Sequence, residues 1–167
     1  LENKVTKFPR YPIDKFADAP NTLGTQMKAT GEVMGIGSTL EECLLKSVRS
    51  LEIGVCHFHI AKFDSMSDDD ILSYISNFQD DNIYAVFEML RRGCSVQKLH
   101  EVTKITPLFI ESFKRIVDME KTVKDNIGDV QTLKNAKIMG FSDEYISKVW
   151  NMPETEIYKM RKQNGIT

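Results

Sequence analysis

From residue 67 to the end of the chain, residues that favour helix starts alternate with residues that favour helix ends. The starts are short polar residues, which accept hydrogen bonds from the free amide groups of a first helical turn, and several ends are glycines. Apolar residues recur at helical spacing between them, and no convincing strand pattern interrupts the series. The predicted starts are Ser67, Asp80 or Asp81, Ser95, Thr106 with Pro107, Asp129, Ser142 and Pro153. This pattern predicts seven helices and a mainly α-helical fold.

The first third of the chain has a different pattern, which predicts a strand, a loop, a second strand and a helix. Pro9 and Pro12 interrupt a partly alternating run, as in a short edge strand that continues as an extended segment. Residues 31–37, GEVMGIG, are a short apolar run bounded by glycines. Thr39 and Glu42 then have the spacing of a capping box, which predicts a helix after them.

The change of pattern near residue 53 divides the chain into two parts. We expect a small α/β unit at residues 1–53, an irregular linker at residues 54–66 and a helical domain at residues 67–167. Charged residues make up 28% and hydrophobic residues 41% of the 167 residues, which are ordinary values for a globular protein. This length suits one domain, or one small domain with an extension.

The sequence indicates no membrane segment and no secretory signal. No apolar run approaches the roughly 20 residues that span a bilayer, and the first residues lack the apolar centre of a signal peptide. Cys43, Cys56 and Cys94 are odd in number and widely spaced, unlike a secreted disulfide framework. We therefore expect free thiols, a cytoplasmic protein and no membrane partner. The net charge of -2 provides no global field that would attract nucleic acid.

Gly31, Gly35 and Gly37 precede a predicted helix, and the amide groups at a helix N-terminus are suited to binding phosphate. Their spacing is G-x-x-x-G-x-G without a lysine, so it matches neither the P-loop nor the dinucleotide-binding fingerprint. The alternative is a strand in which glycine allows another backbone to approach closely. We favour the strand over the phosphate loop.

The stretch CHFH contains three possible zinc ligands, namely Cys56, His57 and His59. A structural zinc site takes about four ligands, but no second cysteine or histidine pair follows, and His100 is alone on a predicted helix. No Ser/His/Asp or Cys/His arrangement for nucleophilic catalysis is identifiable either. We therefore predict no catalytic, cofactor-binding or metal-binding residues in this chain, and a linker that packs on a neighbouring surface.

Residues 141–165 contain two short predicted helices and a tight turn, which is the arrangement of a DNA-reading helix-turn-helix. A reading helix needs basic and amide side chains at its exposed N-terminal end, but this end carries Glu154 and Glu156. The basic residues lie at the far end, where they complement the helix dipole: Lys159, Arg161 and Lys162. We favour a helical hairpin packed through Ile146, Val149, Trp150, Ile157 and Met160. A free-standing helical nucleic-acid-binding module is the alternative function.

Three stretches carry a resemblance to a known family: VTKFPRYPIDKF at 5–16, residues 23–52, and GFSDEYISKVWNMPETEIYKMRKQNGI at 140–166. Together, in this order and over essentially the whole chain, they resemble the middle of the carbamoyl-phosphate synthetase large chain. The motif TQMKATGEVMGIG at 25–37 resembles the stretch that closes an ATP-grasp unit in that family. The resemblance implies an α/β remnant of the first ATP-grasp unit, followed by an all-helical oligomerisation domain. It also implies several hundred ATP-grasp residues before Leu1.

The same resemblance implies the chemistry and partners of a parent enzyme. In that family the first half uses ATP, with Mg or Mn, to activate bicarbonate, and ammonia from glutamine then gives carbamate. The second half phosphorylates carbamate to carbamoyl phosphate, which enters arginine and pyrimidine biosynthesis. The implied partners are the remaining domains of the large chain, a glutamine amidotransferase small chain and further copies in a homo-oligomer.

The family's ATP-binding and metal-binding residues lie upstream of the positions present here, so none carries over and we expect this chain to be inactive alone. Met27 and Glu32 match positions that resemble those lining the family's internal passage for carbamate. On chemical grounds, Glu32 in an apolar strand needs a partner, a cavity or solvent, because burying an unpaired charge is costly. Alternatively, the alternation of side chains along the strand simply directs Glu32 to water. In that interpretation Glu32 is an ordinary surface residue.

Overall fold

The computed structural model describes residues 3–10, 25, 29 and 31–166. Within them the chain is mainly helical with one small two-stranded sheet, as the sequence predicts. The strands are β1 (Lys4–Arg10) and β2 (Gly31–Gly37). The helices are α1 (Leu40–Ser50), α2 (Asp68–Ser76), α3 (Asn82–Arg91), α4 (Val96–Thr103), α5 (Pro107–Asp125), α6 (Val130–Met139), α7 (Asp143–Trp150) and α8 (Glu154–Gln163). A short 3-10 helix, Ala61–Phe63, lies between α1 and α2.

Four of the predicted polar starts cap their helices directly. Ser67, Ser95 and Ser142 accept hydrogen bonds through Oγ from amide groups three residues later, at 3.2, 3.1 and 3.0 Å. Asp129 does the same for α6 through Oδ2, at 2.7 Å. Each bond satisfies an amide donor that the first turn of a helix leaves free. The local sequence therefore fixes where these helices begin.

Two other predicted starts lie at the expected positions without a side-chain capping bond among the described residues. Thr106 precedes Pro107, which has no amide hydrogen to satisfy and a φ already suited to a helix. Asp81 precedes α3, but its carboxylate accepts hydrogen bonds from Lys62 and Tyr74 instead, at 2.9 and 2.5 Å. A tertiary contact has therefore replaced the local cap at this helix.

The two strands pair antiparallel, with Val5 opposite Ile36 and Phe8 opposite Val33. Phe8 and Val33 lie on the face that packs against the core. On this face Gly35 lies directly against α1, because a Cβ atom there would be 2.1 Å from the carbonyl oxygen of Cys43. The close approach confirms the interpretation of the glycine-rich segment as a strand rather than a phosphate loop.

Helix α1 joins the sheet to the other helices. Glu41 on α1 binds Nε of Arg115 on α5 at 2.6 Å, and Arg49 donates from Nη1 to the carbonyl oxygen of Gly140 at 2.7 Å. Gly140 ends α6 in the left-handed conformation, with φ of 101°. A Cβ atom on Gly140 would lie 3.0 Å from Cα of Glu42, so α1 and the end of α6 are in close contact.

The apolar core is continuous from Leu44 on α1 to Ile166 after α8. The segment between α1 and α2 contributes to it, because the fully buried ring of Phe58 stacks on Phe87 with 4.3 Å between ring centroids. The linker predicted at residues 54–66 therefore packs on the helices through some of its side chains, and the domain boundaries at either side of it stay a prediction. No described helix is long and apolar enough to cross a membrane.

Candidate functional site

The N-terminus of α1, the position of the candidate phosphate loop, is occupied by a carboxylate of the chain itself. Thr39 Oγ1 accepts from the amide of Glu42 at 3.1 Å, and Oε2 of Glu42 accepts from the amide of Ser38 at 2.8 Å. The predicted capping box is thus present, with Ser38 as the reciprocal donor. A hydrogen bond from Lys46 lowers the pKa of Glu42, so this carboxylate stays ionised. An incoming phosphate would have to displace it.

The possible zinc ligands of the CHFH stretch point to different partners. Nε2 of His59 lies 2.8 Å from Oδ1 of Asp64, and Sγ of Cys56 lies 3.7 Å from Nζ of Lys148. His57 is buried in a separate contact, described below. Over residues 3–10, 25, 29 and 31–166, no group of three His, Cys, Asp or Glu side chains is placed to hold a metal ion. The adjacency of these residues in sequence does not bring their side chains together.

His57 belongs instead to a buried ionic cluster that sequence analysis did not find. Its Nε2 lies 2.8 Å from Oε1 of Glu120 on α5. Arg91, the last residue of α3, forms a bidentate contact with the same carboxylate, from Nε to Oε2 at 2.7 Å and from Nη2 to Oε1 at 2.9 Å. The side chains of His57 and Glu120 are only 4% and 10% exposed. A two-pronged arginine pair of this kind is among the stronger charge-assisted contacts in proteins.

The surrounding charges determine the protonation of this cluster. Burial alone would raise the pKa of Glu120, but hydrogen bonds from Arg91 and His57 outweigh burial and lower it. Burial lowers the pKa of His57 more than the contact with Glu120 raises it. His57 is therefore a neutral ring that donates from Nε2 to an ionised carboxylate. The cluster carries no net charge, since Arg91 and Glu120 balance each other.

The next residue, Arg92, lies directly after α3 and extends these contacts along the linker. Arg92 binds Oε1 of Glu88 at 2.8 Å and donates to the carbonyl oxygens of Met66 and Phe63 at 2.7 and 2.8 Å. Arg91 likewise donates from Nη2 to the carbonyl oxygen of Phe58 at 2.6 Å. Two adjacent arginines therefore satisfy backbone acceptors of a segment that has little regular secondary structure.

A weak signal for the cluster exists in the sequence. Glu120 lies four residues after Ile116 and three before Val123, and both of these apolar residues are fully buried. A charged residue in the apolar stripe of a helix indicates a buried partner. Its partners could not be named, because His57 and Arg91 are 63 and 29 residues away along the chain.

The C-terminal helices form the packed hairpin that the sequence favours. Ile146, Trp150 and Ile157 are buried, and the indole of Trp150 donates to the carbonyl oxygen of Val123 at 2.7 Å. Arg161 is one of the basic residues near the end of α8. It binds Asp143 Oδ2 from Nε and Nη2 at 2.9 and 2.7 Å. This arginine is therefore engaged within the hairpin, and the helix-turn-helix interpretation is not favoured.

Glu32 lies on the outer face of the sheet, where it pairs with Lys7 at 2.7 Å. Its side chain is 45% exposed, and the apolar side chains beside it on the same face are exposed as well: Val5, Met34 and Ile36. The expectation that Glu32 meets a partner or solvent agrees with this position. Met27 lies outside the described residues. The passage-lining role predicted for Met27 and Glu32 stays a prediction.

The ionic cluster forms part of the wall of an open cleft of about 810 Å³. Linker residues 54–57 and 59 form one side of the cleft, and α5 and α7 form the others. The end of α3, with Arg91, lies between them. The cleft is thus at the junction of the linker with three helices.

Residues 32–165 match the family described as the carbamoyl-phosphate synthetase large chain, oligomerisation domain. The matched region begins within β2 and ends after α8, so it covers most of the chain and every described helix. The chain therefore belongs to the family of carbamoyl-phosphate synthetase large-chain oligomerisation domains.

Proposed function

We propose that this chain is a non-catalytic central segment of a carbamoyl-phosphate synthetase large chain, in which it acts as a spacer and assembly domain. The family match over residues 32–165 is the observation that carries the proposal. The parent enzyme would make carbamoyl phosphate from bicarbonate, ammonia released from glutamine, and ATP, for arginine and pyrimidine biosynthesis. It would do so in the cytoplasm, where free cysteines such as Cys43, Cys56 and Cys94 are usual.

A spacer has to fix the relative positions of the segments that it joins, and the contacts of α1 support this role. The pairs Glu41–Arg115 and Arg49–Gly140 tie α1 to α5 and to the end of α6. The buried ring of Phe58 and the cluster at His57 hold the following linker against the helices. Motion of α1 and the linker relative to the other helices would break these contacts together.

The parent's ATP and its Mg or Mn would be bound by segments other than this one. The residues of β2 and the start of α1 do not suit phosphate, because the carboxylate of Glu42 occupies the helix N-terminus. We therefore expect no bicarbonate-stimulated ATP hydrolysis by the purified chain. Turnover that persists through repeated purification would contradict this part of the proposal.

The assembly role requires a surface for a partner, and we propose α6 as the surface for further copies of the chain. Val130 and Ile138 lie eight residues apart on its solvent side, 37% and 62% exposed, and Ile127 just before the helix is 60% exposed. A contact between copies would remove these exposed apolar side chains from water. Remaining domains of the large chain and the glutamine amidotransferase small chain are the other proposed partners.

Light scattering over a concentration series tests the self-association. We expect the wild-type chain to gain mass with concentration, and Ile138→Asp to remain monomeric, because a charge would be buried in the contact. Leu108→Asp is the matched control, since Leu108 is 61% exposed at the start of α5. A monomer at every wild-type concentration would contradict self-association, and an effect of Leu108→Asp alone would place the interface at α5 instead.

The proposed passage role of Glu32 needs the complete enzyme. We expect Glu32→Ala to leave bicarbonate-dependent ATP hydrolysis in the first half largely intact while lowering the carbamoyl phosphate formed per ATP consumed. The reason is that a polar wall can hydrogen-bond an unstable intermediate in transit without reacting with it. Lys7→Ala, which removes only the partner of Glu32, is the control. Wild-type levels of both activities, or a proportional fall in both, would contradict the passage role.

A further inference from the structure

The open cleft at the linker has a basic lining, although the chain as a whole is slightly acidic. Four basic and two acidic side chains line it, so the lining carries a formal charge of about +2 while the chain carries -2. These side chains are Arg91, Lys121, Lys124, Lys148, Asp118 and Glu120. A concave site with one sign of charge concentrates ligands of the opposite sign.

The two acids of the lining are already paired, whereas two of its lysines are not. Glu120 binds Arg91 at 2.7 Å, and Asp118 binds Lys114 at 2.6 Å. Lys121 and Lys124 have no hydrogen bond or ion pair to any other described residue, and both lie on the side of α5 that faces the cleft. Their charges are therefore available to an anion.

His57 presents a nearly buried acceptor to the same cleft. Its Nε2 is bound to Glu120, and its Nδ1 has no hydrogen bond to another described residue. Within the described part of the chain, two enclosed side-chain atoms have no hydrogen-bond partner, Asn82 Oδ1 and Tyr84 Oη. Nδ1 of His57 is not one of them, so it is not fully enclosed by protein. Since Nε2 carries the hydrogen of the neutral ring, Nδ1 is an acceptor to which no described residue donates.

Tyr145 adds a hydroxyl group to this site. Its ring stacks on His57 with 4.0 Å between centroids, and its hydroxyl has no hydrogen bond within the described part of the chain. Burial raises the pKa of Tyr145, so the hydroxyl keeps its hydrogen and can donate to an anionic oxygen. The cleft thus combines unpaired lysines, a hydroxyl donor and an imidazole acceptor.

We propose that this cleft is a binding site for a small multivalent anion, built on phosphate or carboxylate groups, that also carries a hydrogen-bond donor. The lysines bind the charged groups, Tyr145 donates to one anionic oxygen, and Nδ1 of His57 accepts from the ligand's donor. The volume of about 810 Å³ lies within the range of roughly 300–1,000 Å³ that small-molecule sites occupy. The site is independent of the proposed assembly surface, since α6 does not line it.

Calorimetric titration of the 167-residue chain with inorganic pyrophosphate and with citrate tests the proposal. Both probes are multivalent anions that carry a donor near neutral pH, and comparing them distinguishes phosphate-based from carboxylate-based recognition. We expect at least one probe to bind, and the double variant Lys121→Ala/Lys124→Ala to weaken its binding by about tenfold, because two direct charge contacts are lost. Tyr145→Phe should weaken the same probe about threefold through the loss of one hydrogen bond.

The matched control is Lys98→Ala/Lys159→Ala, which removes the same charge from two exposed lysines outside the cleft and outside α6. This variant should bind the probe within about twofold of wild type, because screening by salt weakens the field of distant exposed charges. Circular dichroism verifies that both variants fold. Absence of binding by both probes at concentrations up to about 10 mM would overturn the proposal. Equal weakening in the two double variants would also overturn it.

Discussion

Glu32 and Glu120 are both paired with a basic residue, but they lie in opposite surroundings. The side chain of Glu32 is 45% exposed on the sheet, beside one lysine. The side chain of Glu120 is 10% exposed between three elements, and it accepts hydrogen bonds from Arg91 and His57. The exposed pair is screened by water and contributes little to folding. The buried carboxylate is stabilised by Arg91 and His57, and without it the charge of Arg91 would be buried unpaired.

The contrast separates two reasons for a carboxylate to be present. Folding explains Glu120, because the linker and two helices meet at its side chain. Folding does not explain Glu32 in the same way. The proposed passage role in the parent enzyme is a separate explanation for its presence in the glycine-rich strand. Measuring how much each acid contributes to stability would sharpen or break this distinction.

The largest expected effect is that of Glu120→Ala. Removing this carboxylate leaves the charge of Arg91 in a mostly buried site and the Nε2 hydrogen of His57 without an acceptor, so we expect a loss of about 3–5 kcal/mol in the free energy of unfolding. Urea unfolding followed by circular dichroism measures this loss. Glu32→Ala is the comparison, with an expected change of less than about 1 kcal/mol. Similar losses in the two variants would remove the distinction between the acids.

A similar contrast holds between two glycines of β2. The inner face admits no side chain at Gly35, since a Cβ atom there would lie 2.1 Å from the carbonyl oxygen of Cys43 and 2.4 Å from Ser47 Oγ. We expect Gly35→Ala to destabilise the chain by about 1–3 kcal/mol, because α1 would have to move away from the strand. Gly31→Ala on the same strand is the control, since its nearest neighbour would be 4.0 Å away. Equal thermal unfolding temperatures for the two variants would show that α1 does not pack closely against Gly35.

A smaller effect is expected on lowering the pH. Burial lowers the pKa of His57 below its ordinary value of 6.5, so the unfolded chain takes up this proton more readily than the folded chain. Stability from this group is therefore fully present above pH 6.5 and decreases as the pH falls towards the folded pKa. The decrease is at most about 1.4 kcal/mol per pH unit.

Urea unfolding at several pH values between 7.5 and 5 measures this decrease, over a range chosen around the histidine value. Glu120 contributes separately, below its ordinary value of 4.5, because its pKa in the folded chain is lowered. His57→Gln keeps an amide donor for Glu120 but does not titrate, so the decrease between pH 6.5 and 5 should be absent in this variant. An unchanged pH dependence would show that another group is responsible.

The helices could be predicted because their signals are local. Ser67, Ser95 and Ser142 cap amide groups three residues away, and a sequence shows that spacing directly. The missing cap at Asp81 has a clear cause, since Lys62 and Tyr74 bind the carboxylate that would have capped α3. Local chemistry decides a helix start unless a tertiary contact uses the same side chain.

The ionic cluster and the cleft could not be predicted in this way. Asp118, Glu120 and Lys121 are close together on α5 and look alike as charges in a sequence, but only Glu120 is buried. In the sequence, His57 is a possible zinc ligand, but its actual partner lies on a helix 63 residues later. Which charge is buried depends on how the helices pack, and no short-range pattern records that.

Gly140 shows how a purely architectural residue can imitate a functional one. Its backbone has a conformation that other residues rarely adopt, its missing side chain admits α1, and its carbonyl oxygen accepts from Arg49. The first two of these features, the backbone conformation and the close approach of α1, each select glycine, so nearly every replacement there should be rejected. A comparison of related sequences would then present this glycine as invariant, far from any chemistry. Invariance in this fold therefore needs a geometric explanation before it is taken as evidence of a site.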